Sequence, residues 1–303
     1  MGALAGKVAV ITGASRGLGL AMAQALAAEG AAVVVCARCP DTVEAAAARL
    51  RAAGHRAVGL ACDVSDPDQV RSLALRAVDA FGGFHVWINN AGISAPYGPT
   101  TLVAPERFVQ VVHTNVLGTY YGSMAALDHF LAHGGGKLIN VLGRGDRGPA
   151  PMQNAYGASK AWARAFTLAL AKEHASSNVG VFAFNPGLVD TELLRRVEVV
   201  RGHEDRLAAF PTVVRMWARP PHVPARKLVW LASPATDGRT GLHIRATGPV
   251  HLLVGLLGET WRRLGRSSGA PAPLEMVSLS PQRFLPAAPD RPGDLPPDHV
   301  HYP

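Results

Sequence analysis

The segment Thr12-Gly13-Ala14-Ser15-Arg16-Gly17-Leu18-Gly19 narrows what this chain can fold into more than any other. It joins the apolar run Val8–Thr12 to an alanine- and leucine-rich stretch over residues 17–29. Glycines at that point let the backbone turn sharply and approach a bound group, while the free N–H groups opening the helix attract an anion such as a pyrophosphate. A glycine-rich stretch alone is a weak signal. Placed between a buried strand and a helix, it calls for a parallel sheet whose strands open at their carboxyl ends onto a ligand.

The next 170 or so residues supply such a sheet. Ala32–Ala37 (AVVVCA) is continuous and β-branched, as a strand buried on both faces should be. Residues 42–53 read as a helix ended by Gly54, and Ala57–Ala61 as the third strand. Asp66 fits an N-cap, with Pro67 at the first helical position of a helix running to Phe81. Val86–Asn89 is the fourth strand, 106–133 one long helix, 137–142 the fifth strand, 154–174 a second long helix and 180–185 the sixth strand. Such alternation predicts right-handed βαβ crossovers and a doubly wound parallel α/β sheet flanked by helices. Residues 191–221 are irregular with short helical character, 223–231 suggest a helix and 242–246 a last strand. Over 249–264 a helix with Leu253, Leu257, Trp261 and Leu264 on one stripe is expected, placed to cover a pocket or dock on a neighbouring subunit. Past Gly265 the proline-rich composition predicts no regular structure.

Composition sets the outer bounds. With 303 residues and 48% apolar side chains, one large domain over 1–248 with an extension over 249–303 is expected. No apolar run reaches membrane-spanning length, and the start of the chain lacks the features of a signal peptide, so a cytoplasmic protein is expected. Cys36, Cys39 and Cys62 lack the spacing of a metal site, and His129 and His133 lack further ligands, so no metal is expected. The net charge of +8 rests on arginines scattered among prolines and apolar residues, which reads as a solvated surface rather than a nucleic-acid footprint.

The glycine turn predicts a dinucleotide. An NAD-binding strand needs an acidic side chain near its end to hold the ribose hydroxyls. Here the second strand ends Cys36-Ala37-Arg38, and Arg38 with Arg16 can bracket a 2′-phosphate, so NADP(H) is preferred over NAD(H). Asp63 has two readings: contact with the adenine, with Val64 beside it, or capping of the following loop.

Further motifs follow in order. They are Asn89-Asn90-Ala91-Gly92 after the fourth strand, Asn115 within His113-Thr114-Asn115-Val116-Leu117-Gly118, Tyr156-Gly157-Ala158-Ser159-Lys160, and Asn185-Pro186-Gly187 followed by Val189 and Thr191. With the glycine turn, they make residues 5–246 resemble the short-chain dehydrogenase/reductase family. The resemblance implies a Rossmann-type doubly wound parallel sheet with a C-terminal extension. It also implies nicotinamide-cofactor contacts from Gly13, Ser15, Gly17, Leu18, Gly19, Asn90, Ala91, Gly92, Tyr156, Lys160, Pro186, Gly187, Val189 and Thr191. Tyr156, Lys160 and Asn115 become the catalytic set, with Asn115 placing a water toward Lys160. Tyr156 and Lys160 are four apart and so share a helix face. An ammonium beside the phenol is expected to lower its pKa from about 10 and allow proton exchange near neutral pH.

One position departs from the family pattern. Gly143, thirteen residues before Tyr156, stands where the family has a serine, and no serine lies between Ser123 and Ser159. Losing one such donor to the reacting oxygen costs about 2.7–4 kcal/mol. Three explanations stand: a substitute donor from Arg144, Arg147, Gln153 or Asn154; a donor on the substrate; or loss of efficient redox turnover. The Arg144–Arg147 loop either binds a carboxylate or polar substrate or is fixed by Asp146 pairing with Arg144 or Arg147.

By the same resemblance, residues 191–222 cover the substrate. Leu193, Leu194, Phe210, Val213, Val214, Met216 and Trp217 make that segment largely apolar. The expected substrate is a partly hydrophobic ketone or secondary alcohol, met by Gly143, Arg144, Gln153, Leu193 and Trp217. Trp162, Phe166 and Leu170 follow Tyr156 at helical spacing and read as packing. Relatives oligomerise through this helix, implying a homodimer or homotetramer. The competing functions are a cofactor-binding regulator or scaffold and a non-redox dehydratase or isomerase.

Overall fold

The computed structural model describes residues 2–265 and 274–285. Among them are nine strands: β1 (Val8–Thr12), β2 (Ala32–Ala37), β3 (Ala57–Ala61), β4 (Val86–Asn89), β5 (Gly136–Val141), β6 (Val179–Asn185), β7 (Arg196–Val200), β8 (His243–Arg245) and β9 (Glu275–Leu279). The α-helices are α1 (Gly17–Ala28), α2 (Pro40–Ala52), α3 (Pro67–Phe81), α4 (Pro105–Val111), α5 (Gly118–Ala132), α6 (Asn154–Glu173), α7 (Glu192–Arg195), α8 (Phe210–Trp217), α9 (His222–Ala232) and α10 (Pro249–Arg263).

Seven strands form one parallel sheet in the order β3-β2-β1-β4-β5-β6-β8. Alternate residues of each strand face opposite cores. Ile11, Val33, Val35, Ile88, Phe182 and Phe184 pack with Met22 and Leu26 of α1 and Leu228 and Leu231 of α9. Val10, Val34, Trp87, Leu138 and Val181 pack with Leu73 of α3, Phe130 of α5 and Leu170 of α6. Burial on both faces is why the strands read as unbroken apolar runs. The strand order reverses between β1 and β4, and the crevice there is where a doubly wound sheet receives its ligand. The cap of α3 is as expected: the Asp66 carboxylate accepts from Asp68 N at 2.9 Å and Gln69 N at 3.3 Å, and Gly82 ends the helix at φ 80°.

Two expectations need correction. The single helix over 106–133 is interrupted by a π-helical turn at Val112–Leu117, between α4 and α5. The wider turn turns Asn115 inward, where it is buried and bonded to the backbone of Ile93. Regular structure does not stop at Gly265: β9 pairs in parallel with β7, Arg196 opposite Glu275 through Val200 opposite Leu279. Two short strands nearly eighty residues apart, one set among prolines, carry no local signal until they meet. The other residues past 265 that were expected to be irregular, 266–273 and 286–303, lie outside the described residues.

Of the two readings of the stripe Leu253, Leu257, Trp261 and Leu264, covering the pocket is not seen, since Leu252 borders the central cavity in their place; docking on a neighbouring subunit is the reading left. Helix α10 docks through Gly255, where an added Cβ would lie 2.6 Å from Met216 O and from the Trp217 ring, so only that face can approach α8. Among the described residues no helix is long and apolar enough to cross a membrane.

Candidate active site

The β1–α1 turn is built so tightly that side chains are excluded from it. Gly13 and Gly17 have φ of 64° and 57°, and a Cβ on Gly19 would lie 2.2 Å from Gly13 O. The Asn90 amide holds the turn from behind, donating to Thr12 O at 2.9 Å and Gly13 O at 3.1 Å. Thr12 Oγ1 in turn accepts from Asn90 N at 3.0 Å and Ala91 N at 3.1 Å.

This turn opens onto a cavity of about 1700 Å³. Gly13, Ser15, Arg16, Gly17, Leu18 and Gly19 border it at one end, with Arg38 after β2 and Asp63 and Val64 after β3. Asn90, Ala91 and Gly92 follow β4, and Pro186, Gly187, Val189 and Thr191 follow β6 along the same wall. A glycine cradle, a helix N-terminus and arginines at the far end suit a phosphorylated dinucleotide in shape and charge. Two details qualify the expectations. The Asp63 carboxylate accepts from Ser65 N at 2.9 Å and Ser65 Oγ at 2.7 Å, which is the loop-capping role. Arg16 reaches across the cavity mouth to Glu192 at 2.5 Å, both side chains being exposed.

Helix α6 brings Tyr156 and Lys160 to the cavity wall. The Lys160 ammonium lies 5.7 Å from the centre of the Tyr156 ring and donates to Val141 O at 3.0 Å. Burial pushes Lys160 down to about 8. The Tyr156 phenol, by contrast, is pushed up to about 12, by burial first and by the Asp146 carboxylate second. The expected lowering by the ammonium does not figure here: desolvation is the first cause and raises the phenol, and the Lys160 ammonium is bound to the Val141 carbonyl.

Asn115 does not border the cavity. Its amide donates to Ile93 O at 2.9 Å and Ser159 Oγ at 3.0 Å, and its Oδ1 accepts from Ile93 N at 2.9 Å. It thereby ties the π turn to α6 and to the loop after β4. Gly92 separates it from Lys160, since a Cβ there would meet Asn115 Oδ1 at 3.4 Å and Lys160 Nζ at 3.6 Å.

Gly143 lies directly against the phenol: a Cβ added to it would sit 2.3 Å from the Tyr156 oxygen. The volume of a side chain at 143 is therefore taken by the phenol itself. Asn185 Nδ2 holds this point by donating to Gly143 O at 3.2 Å.

Of the four candidate donors, Asn154 does not border the cavity and its amide donates to Thr100 Oγ1 at 3.3 Å. Arg147 borders it but is engaged with His243 Nδ1 at 3.2 Å, leaving Arg144 and Gln153 on the wall. The expected pairing of Asp146 with Arg144 or Arg147 is not formed. Asp146 is buried and faces β8, with Oδ2 3.2 Å from His243 Nε2 and Oδ1 3.9 Å from Arg245. Gly145 at φ 95° packs on Gly157 and turns the loop that way.

Leu193 and Trp217 border the cavity from the covering segment, and the Trp217 indole donates to Leu252 O at 3.1 Å. Arg206, Arg245, Thr247 and Leu252 also border it but were not anticipated. Thr247 had a signal in its place just after the last strand and Arg206 in lying within the covering segment, on the 3-10 turn Glu204–Leu207; Leu252 and Arg245 arrive through the packing of α10 and β8.

The short chain dehydrogenase family model matches residues 7–200. The chain is 34% identical over 204 residues to the probable chlorophyll(ide) b reductase NYC1 of Arabidopsis thaliana, covering 61% of this chain and 41% of that longer protein. It is 34% identical over 256 residues to 3beta-hydroxysteroid dehydrogenase 1 of Eggerthella lenta, covering 83% of this chain and 96% of that one. Among solved structures, 3-ketoacyl-(acyl-carrier-protein) reductase from Brucella melitensis complexed with NADH matches with a TM-score of 0.71 at 32% identity, over 80% of this chain and 97% of that chain.

Proposed function

This chain belongs to the short-chain dehydrogenase/reductase family, and from that premise we propose that it is an NADP(H)-dependent oxidoreductase interconverting a ketone and a secondary alcohol. The observation that carries the reading is the pairing on α6: Tyr156 and Lys160 stand together on the wall of the cavity that begins at the glycine turn. A bound nicotinamide dinucleotide supplies the hydride there. Tyr156 supplies the proton. Its phenol, pushed up to about 12, carries its proton at neutral pH and can donate it to a nascent alkoxide. Lys160, anchored on Val141 O, holds a positive charge beside the phenol and a donor toward the cofactor ribose.

Arg38 and Arg16 favour the 2′-phosphate of NADP(H). The exposed Arg16–Glu192 pair is worth about 0–1 kcal/mol, so a phosphate can displace it. The protein is proposed to act in the cytoplasm, as a homo-oligomer, on a small-molecule substrate.

Gly143 sustains a second reading, an NADP(H)-binding protein without redox turnover or one catalysing a non-redox reaction, because no side chain there supports the reacting oxygen. Purified protein mixed with NADPH and a panel of ketones separates the readings. The oxidoreductase consumes NADPH, and Tyr156→Phe lowers that rate by at least about 100-fold while retaining NADPH affinity. NADPH binding without turnover of any ketone supports the second reading, and no binding of pyridine nucleotide overturns both.

A further inference from the structure

The charges on the cavity wall are not balanced. Each carboxylate near its substrate end already has a cationic neighbour: Asp146 has Arg245 at 3.9 Å, with the His243 ring also beside it, Glu192 has Arg16, and Glu198 has Arg107. Arg144 and Arg206 border the same cavity and have no carboxylate partner among the described residues. The turning of Asp146 toward β8 is what leaves Arg144 uncompensated, because the loop's own acid is used elsewhere. Arg196 adds a third positive charge, its exposed pair with Glu275 being long at 3.6 Å.

Position sharpens the point. Arg144 follows Gly143, whose missing side chain would touch the phenol oxygen, so its Cα is about 3.8 Å from the backbone nearest the reacting atoms. Arg144 and Arg196 also border an adjoining cavity of about 550 Å³, sharing that border with the apolar Leu207 and Phe210. The chamber thus offers cations near the carbonyl-reducing phenol and an apolar wall beyond them. A guanidinium in this setting recognises a carboxylate in a planar, bidentate manner.

We infer that the substrate is an oxo acid, a ketone carrying a carboxylate close to its carbonyl and an apolar chain beyond, with Arg144 as the residue that selects for the acid. This rests on the oxidoreductase reading above and specifies its substrate class. The carboxylate also accounts for Gly143: an anion anchored by Arg144 orients the ketone without a hydroxyl at 143.

The experiment uses the full chain saturated with NADP⁺ or NADPH. Calorimetric titration compares 2-oxohexanoate and 3-oxohexanoate with their methyl esters, in the wild type and in Arg144→Ala, Arg144→Lys and Arg206→Ala. At least one acid is expected to bind about 10–100-fold more tightly than its ester, as a charge-assisted hydrogen bond allows. Arg144→Ala removes that preference, Arg144→Lys restores part of it, and NADPH affinity stays within about twofold, which separates substrate recognition from a cofactor-phosphate contact. Equal binding of both acids and their esters overturns the inference, as does a preference that survives Arg144→Ala. Turnover is read in parallel with NADPH. Arg144-dependent acid binding without turnover supports the inference and counts against the oxidoreductase reading. Turnover of esters and acids alike, without preference, does the reverse.

Discussion

Two regions enclose the cavity, and they are held together by different means. The cofactor side, made by the carboxyl ends of β1 to β6, is a sheet buried on both faces whose turns leave no room for a side chain. The covering side is made of α7, β7, α8 and α10. It depends on a two-stranded sheet with β9 and on a few polar ties: Arg215 to Glu259 at 2.8 Å, the Trp217 indole to Leu252 O, and His251 to Trp217 O at 3.1 Å. Its outer surface is apolar and exposed, Val250 being 73% and Leu257 59% accessible. The difference matches two tasks. A ligand of constant shape is met by close-packed backbone, where any added atom collides. The cover, by contrast, is an element of fewer buried contacts, the kind of region that opens locally at lower cost.

The comparison predicts where damage stays local. Gly19→Val carries the largest effect. Its Cβ would lie 2.2 Å from Gly13 O and 2.7 Å from Asn90 Nδ2, so the turn must open. An overpacked site costs about 1–3 kcal/mol or more, and calorimetry should show a lower Tm together with NADPH affinity reduced by at least about 100-fold. Retained affinity would mean that the cofactor side is as adaptable as the cover.

Val199→Asp tests the other region. Val199 is fully buried between Tyr97 and the paired β9, and an unpaired carboxylate there should melt the small sheet. Ketone KM is expected to rise about 10-fold with NADPH affinity within about twofold, and hydrogen exchange should accelerate over 196–200 and 275–279. A matching loss of NADPH affinity would show the two regions to be one cooperative unit.

The smallest effect is on pH dependence, and it belongs to the cofactor side, where Lys160 is buried and Tyr156 half-buried. Lys160 is held down to about 8 against an ordinary 10.5. Between those values the unfolded chain keeps the proton and the folded chain has lost it, so stability rises with pH across that window. Tyr156 acts in the opposite sense above its ordinary 10, since the folded phenol stays protonated to about 12. Thermal melts from pH 7 to 10 should show the rise in wild type and lose it in Lys160→Met. An unchanged profile in the variant would place Lys160 in contact with water.

How much was legible divides along the same line. The seven strands of the large sheet, the Asp66 cap of α3 and the glycine turn at the cavity's end were readable because each carries a local signature. Those signatures are a continuous apolar run, a proline after an aspartate, or a glycine where φ is positive. The π turn at Asn115 was not readable, because one extra residue in a helix changes no periodicity strongly enough to see. The pairing of β7 with β9 was not readable either, because a five-residue strand acquires its identity from its partner.

The charged loop after β5 shows the limit most clearly. Its composition, two arginines around an aspartate, suggested a self-neutralised turn as readily as a binding site. Which of these it is depends on His243 and Arg245, nearly one hundred residues away, which take the aspartate and leave Arg144 facing the cavity.

The amino-acid order by itself determined the doubly wound sheet, the glycine cradle and the α6 pairing of Tyr156 with Lys160, because short-range periodicity and backbone sterics act within a few residues. Tertiary structure alone decided the state of the phenol, the partner of Asp146 and the closure of the cavity. Desolvation, charge pairing and strand pairing depend on groups that only the folded chain brings within reach.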